Sequence, residues 1–201
     1  MGKKENERKG EKSKNAKMPR VNKIHAMCII AVFTALMCVL SPLSIPLEPV
    51  SITLATLVVY LIGAVFSWKI SLPIILIYLL LGMVGMPVFS KFQGGIQVLV
   101  GPTGGFLIGY IPCLLFESLL LGKTKKRLWA YPLAMLGGTI FLYACGLAWF
   151  LIYGKGNYDF AKAMMVCVVP FLPGDAIKIA LASFAGYRLR KFVDGEFGNP
   201  W

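Results

Sequence analysis

The sequence predicts an all-α membrane protein with six transmembrane helices, a long irregular external loop after the third helix, and both termini in the cytoplasm. Three observations carry that reading. Of 201 residues, 57% are hydrophobic and only 15% charged, whereas a soluble domain carries about a quarter charged residues. The apolar residues fall into six runs punctuated by proline, glycine or charge. If each run crosses the bilayer, 17 of the 21 Lys and Arg residues fall on one side, which the positive-inside rule assigns to the cytoplasm.

The first run, Ile24 to Leu40, stops at Ser41-Pro42, and a link holding Pro42, Pro46, Pro49 and Glu48 follows. The second run spans Ile52 to Trp68. Lys69 marks a very short turn before the third, Ile70 to Leu81. Gly82-Met83-Val84-Gly85-Met86-Pro87 then breaks the helix. From Val88 to Gly101 the chain reads as irregular yet too apolar for an ordinary exposed loop. Such backbone survives at membrane depth only inside protein or along a cavity, and loops of this length are usually functional.

Gly101-Pro102-Thr103-Gly104-Gly105 opens the fourth run, with Thr103 in the N-cap position. Gly101, Gly105 and Gly109 are spaced to leave one face bare for a close neighbour; a glycine hinge is the alternative. Lys123, Lys125, Lys126 and Arg127 end this run. The fifth covers Tyr131 to Tyr153. After a polar link, an amphipathic approach from Ala161 to Leu172 leads into the sixth helix at Pro173.

The charges divide the chain into a disordered basic cytoplasmic tail (residues 1–23), a six-helix membrane domain (24–191) and a short cytoplasmic C-terminal tail (192–201). Nine basic residues, from Lys3 to Lys23, lie in the first tail. They suit anionic lipid headgroups, and no aromatic interleaving points to nucleic acid. The tail resembles neither a cleavable signal peptide nor a lipidation motif.

The most informative residues are Asp175 and Lys178 in Pro173-Gly174-Asp175-Ala176-Ile177-Lys178. Lys178 lies ten residues before Arg188, or about 15 Å along a helix, near the middle of a hydrocarbon core about 30 Å thick. Intramembrane charges at that depth face protein or a wet cavity and mark functional sites. At i, i+3 the two share a helix face, either neutralising one another or completing their pairing with a ligand. The external links all converge on this end of the sixth helix, so the expected pocket opens outward.

Catalytic chemistry finds no support. His25, the only histidine, stands at the start of the first helix and reads as interfacial. Glu117 reads as a helix-to-helix hydrogen-bonding residue. The five cysteines have no metal or redox spacing, so no cofactor is expected. There is no Walker motif, so any ATP dependence belongs to another chain.

Four ordered motifs carry a resemblance: Ile45-Pro46-Leu47-Glu48-Pro49-Val50-Ser51-Ile52-Thr53-Leu54; Gly82 to Phe89; Gly94-Gly95 leading to Gly101-Pro102-Thr103-Gly104-Gly105-Phe106; and Phe171-Leu172-Pro173-Gly174-Asp175 with Lys178. Together they resemble the BioY family, the biotin-specific S components of energy-coupling-factor (ECF) transporters, from Ile24 to about Lys191. The resemblance implies a subunit that captures biotin outside the cell and docks on a T subunit driven by two ABC ATPases. It implies that Asp175 and Lys178 contact the ligand and that the two external loops form a lid. Lys91 and Gln93 are lid candidates by position, with Phe89 beside them. Ala31 and Ala35 are similar to the small-residue signature of the first helix that meets the T subunit. Two departures stand out: Ala55 where the family often has Gln, and Phe106 where it often has Tyr. The expected orientation pairs Lys178 with the biotin carboxylate and Asp175 with a ureido N–H. An S component for another small vitamin and a non-transport membrane assembly protein are the competing readings.

Overall fold

The computed structural model describes residues 23–45, 51–124, 128–154 and 159–196. Residues 1–22 of the basic tail, 46–50 of the proline-rich link, 125–127 of the basic cluster, 155–158, and 197–201 of the C-terminal tail lie outside the described residues.

Helix α1 (Lys23–Leu40) ends at Ser41, whose N–H still reaches Met37 O at 2.9 Å. Proline at the next position cannot continue the ladder. The chain then forms a two-stranded ribbon, β1 (Ser44–Ile45) against β2 (Ile52–Thr53), pairing Ser44 with Thr53 and Ile45 with Ile52. The second apolar run is therefore not helical from its start. Its first two residues are strand, and α2 occupies only Ala55–Val65. Phe66 and Ser67 are extended, and the buried Ser71 hydroxyl donates across the turn to Ile62 O and Phe66 O, both at 3.2 Å. That ties the start of α3 (Trp68–Met83) to the end of α2.

The stretch after α3 is more regular than the sequence suggests. It holds a 3-10 turn, Ser90–Phe92, and a short helix α4, Ile96–Val100. Beyond it run α5 (Gly104–Lys123), α6 (Ala130–Tyr153), α7 (Phe160–Cys167) and α8 (Leu172–Glu196). The last helix extends past the boundary expected at Lys191. Pro173 sits in its first turn, where the missing N–H costs nothing.

Gly105 and Gly109 lie against Trp149, Cys145 and Leu142 of α6. They are a packing face rather than a hinge. Gly101 lies outside the helix, and its carbonyl accepts the Trp149 indole N–H at 3.0 Å. Thr103 occupies the N-cap position of α5 but makes no side-chain capping bond.

Helix α2 is the centre of the molecule. Ala55, Val58, Val59, Tyr60, Ile62, Ala64 and Val65 are all buried, as expected of a helix apolar on every side. It packs on α1, α5 and α8. The outward faces of α6 and α8 carry Leu133, Leu136, Ile140, Ile177, Leu181 and Phe184, all exposed. A soluble monomer rarely shows so much contiguous apolar surface; hydrocarbon accommodates it. Among the described residues α1, α5 and α6 are long and apolar enough to span a bilayer. Phe160–Cys167 with Leu172–Val193, bent by 47°, passes as a fourth span. Helices α2 and α3 are apolar but shorter, at 11 and 16 residues.

Candidate ligand pocket

Asp175 enters the core on the first turn of α8, its N–H bonded to Phe171 O at 2.8 Å. Asp175 and Lys178 are buried, at 3% and 7% exposure, on the face that α8 turns to α2, while Ala176 and Ile177 point outward. They form an ion pair of 3.0 Å between Lys178 Nζ and Asp175 Oδ1.

The pair is embedded in further polar contacts. Lys178 Nζ donates to Thr53 O at 2.8 Å and to Thr56 Oγ1 at 2.9 Å. With Asp175 these account for all three donors of an ammonium. Asp175 Oδ2 accepts a 2.6 Å hydrogen bond from the Tyr143 hydroxyl. A carboxylate has room for about four donors, so Asp175 retains acceptor capacity.

That capacity faces open space. A cavity of about 570 Å³, counted to its open mouth, is lined by Asp175, Lys178, Thr53, Thr56, Tyr110 and Tyr143, with Phe89, Phe106, Leu107, Leu142 and Phe171 as its apolar wall. Phe106 and Phe171 are stacked, their centroids 6.1 Å apart. A mostly apolar cleft with a few fixed polar groups is the usual form of a small-molecule site. The two charges are thus paired with each other and also border a void.

A second, wider space of about 1440 Å³ adjoins the first and is lined by Lys91, Gln93, Gly94, Gln97, Gly101 and Pro102. The two share Ser51, Ser90, Val98 and Thr103, which form a rim between an inner chamber and an outer vestibule.

The sequence-predicted residues divide between these spaces. Asp175, Lys178 and Phe89 line the inner chamber, whereas Lys91 and Gln93 line only the vestibule. Phe89 is fully buried, its ring over Gly82 where a side chain would otherwise sit, and edge-on to Tyr78 at 5.6 Å. Tyr78 OH donates to Val88 O at 3.3 Å and is bonded to Ser41 Oγ. Lys91 and Phe92 both adopt left-handed backbone, φ 58 and 57, a conformation uncommon outside glycine. This reversal puts Phe89 inside and leaves Phe92 exposed. Ser44 Oγ ties the loop to the ribbon, accepting from Lys91 N–H at 3.2 Å and Ser90 Oγ at 3.3 Å.

Thr53, Thr56 and Tyr143 escaped the sequence reading. Thr56 was legible as a hydroxyl at the start of α2, but Thr53 meets Lys178 through its backbone carbonyl, which the residue type does not mark; Tyr143 was one aromatic among many in an apolar run. Glu117, expected to bond between helices, instead accepts from Cys113 Sγ on its own helix at 3.4 Å, and its Oε2 has no partner among the described residues. Ala55 is buried in the core and does not line the chamber. Ala31 and Ala35 do not line either space and are exposed on α1.

A helical membrane protein with a buried charge pair on the wall of a chamber that opens into a wider vestibule has the form of a small-molecule binding or transport protein. The BioY family model matches residues 11–195, and the chain belongs to that family. It is 40% identical over 160 residues to the biotin transporter BioY of Thermotoga maritima, covering 80% of this chain and 92% of that protein. To the biotin transporter BioY2 of Lactococcus lactis subsp. cremoris it is 34% identical over 167 residues, covering 83% and 91%. The crystal structure of the S component for biotin from an ECF-type ABC transporter superposes with a TM-score of 0.77 at 27% identity, covering 84% of this chain and 92% of that one.

Proposed function

We propose that this chain is the biotin-capture subunit of an ECF-type ABC importer, binding biotin from outside and delivering it through a T subunit powered by two ABC ATPases. The observation that carries the reading is the Asp175–Lys178 pair on the wall of the inner chamber, in a chain whose relatives bear the name of biotin transporters.

The saturation of Lys178 bears on ligand orientation. A carboxylate placed beside the pair would leave a net negative charge in a poorly solvated chamber next to Asp175, a costly arrangement. The neutral ureido ring adds no charge. In our assignment a ureido N–H donates to Asp175, and the ureido oxygen takes over one of the neutral acceptor places on Lys178 now held by Thr53 and Thr56. Phe89, Phe106 and Phe171 enclose the sulfur-containing ring. The carboxylate lies at the rim, where water, Gln93 and Lys91 are within the vestibule. The sequence-based pairing of Lys178 with the carboxylate is thereby reversed.

The same reading gives six spans, with α2 and α3 completing the set, the vestibule outside, and both termini in the cytoplasm of a bacterial cell membrane. On this reading the basic tail (1–23) and the short C-terminal tail (192–201), whose first five residues continue α8, are cytoplasmic. Ala31 and Ala35 form the surface that meets the T subunit. Calorimetry with biotin on the purified protein tests the proposal: saturable binding that Asp175→Asn and Lys178→Ala each abolish is expected. Absence of biotin binding overturns it.

A further inference from the structure

The inner chamber does not end at its rim. Ser51, Ser90, Val98 and Thr103 belong to both spaces, so a ligand whose ureido end is held at Asp175 has its acid end facing the wide, solvent-open vestibule. The rim is rich in hydroxyls, which both donate and accept. An amide at that point keeps a carbonyl acceptor and gains an N–H donor, so the rim is chemically suited to it as well as to a carboxylate. Lys91, the cation of the vestibule, is exposed, and an exposed ion pair contributes little to binding. Loss of the ligand's negative charge therefore weakens binding only modestly.

We propose that the vestibule is a second subsite for chain extensions on the carboxyl end, so that this protein captures amide-linked biotin, such as biotinyl-lysine, as well as the free acid. The proposal rests on the biotin reading above and on the ureido-inward orientation. Gln97 is the residue to probe. It lines the vestibule but not the inner chamber, is exposed, and makes only a local bond, Nε2 to Gly94 O at 2.9 Å.

The experiment is competition against radiolabelled biotin on the full chain in detergent, with biotinyl-lysine as competitor, for wild type and Gln97→Trp. Biotinyl-lysine is expected to displace biotin with an affinity within about tenfold of the free acid. Gln97→Trp is expected to weaken biotinyl-lysine by about tenfold or more while leaving free biotin within about twofold, which also certifies the fold. Free biotin binding with no displacement by biotinyl-lysine overturns the subsite alone. So does a Gln97→Trp variant that treats both ligands alike. Failure of free biotin to bind removes the functional reading itself and the subsite with it.

Discussion

The Tyr143 hydroxyl on α6 donates a 2.6 Å hydrogen bond to Oδ2 of Asp175 on α8. With Lys178 holding Oδ1 from the same helix, the carboxylate is gripped at both oxygens and cannot rotate. A fixed acceptor selects a ligand donor by direction, and a hydrogen bond to a charged group contributes about 1.5–3 kcal/mol. Tyr143→Phe keeps the ring and its packing but frees one oxygen. Biotin affinity measured by calorimetry should fall roughly 10- to 100-fold, with little change in melting temperature. Unchanged affinity would mean that Tyr143 only fills space.

Lys178 makes a separate prediction. Its removal leaves Asp175 charged and buried beside Thr56, with only Tyr143 firmly bonded to it. Breaking a buried pair from one side costs about 3–5 kcal/mol, whereas replacing both members by uncharged residues of similar volume is often neutral. Lys178→Met should therefore lower the melting temperature in detergent, and Asp175→Leu combined with Lys178→Met should largely restore it while binding no biotin. A single variant as stable as wild type would show that the pair is not desolvated.

Much of this architecture was legible because lipid imposes a simple grammar. Length and apolarity marked α1, α5 and α6, and two charges three residues apart on an otherwise apolar helix marked the wall of the chamber. What stayed hidden was short-range pairing. The ribbon between Ser44–Ile45 and Ile52–Thr53 spans too few residues to show an alternating pattern, and Ile52 reads equally well as the start of a helix. The rim was hidden for a different reason. Whether Lys91 and Gln93 fall inside or outside Ser90 depends on the left-handed backbone at Lys91 and Phe92, which side-chain chemistry does not encode. To Asp175, its i, i+3 neighbour on α8, the cage around Lys178 adds one residue from β2 and one from α2, and that part of the meeting is created by tertiary packing.

Phe89 connects the loop to the chamber. Its ring lies over Gly82 and forms part of the chamber wall. A methyl group at position 82 would occupy the space of the ring, so Gly82→Ala must push Phe89 outward. Phe89→Ala removes the wall directly, and burying nothing in its place costs about 3–5 kcal/mol in a packed core. Both variants should speed biotin dissociation in a filter-binding chase by at least about tenfold. If Gly82→Ala releases biotin at the wild-type rate, the ring is not a wall of the occupied site.

The last prediction concerns α1. Met27, Ala31, Ala35 and Val39 form an i, i+4 row, and all four are exposed. Two alanines between bulkier ends make a shallow notch, and small residues at such spacing let a second helix approach closely in a membrane. None of the four notch residues lines the chamber, which α1 reaches only through Ser41 at its end. Association and binding should therefore separate. Ala31→Trp or Ala35→Trp fills the notch and should abolish co-purification with the T subunit and ATPases while the biotin dissociation constant stays unchanged. Ile140→Trp, on the outward face of α6 at 69% exposure, controls for added bulk against lipid and should leave the complex intact. Equal recovery of the complex from Ala35→Trp and Ile140→Trp would place the contact elsewhere on the molecule.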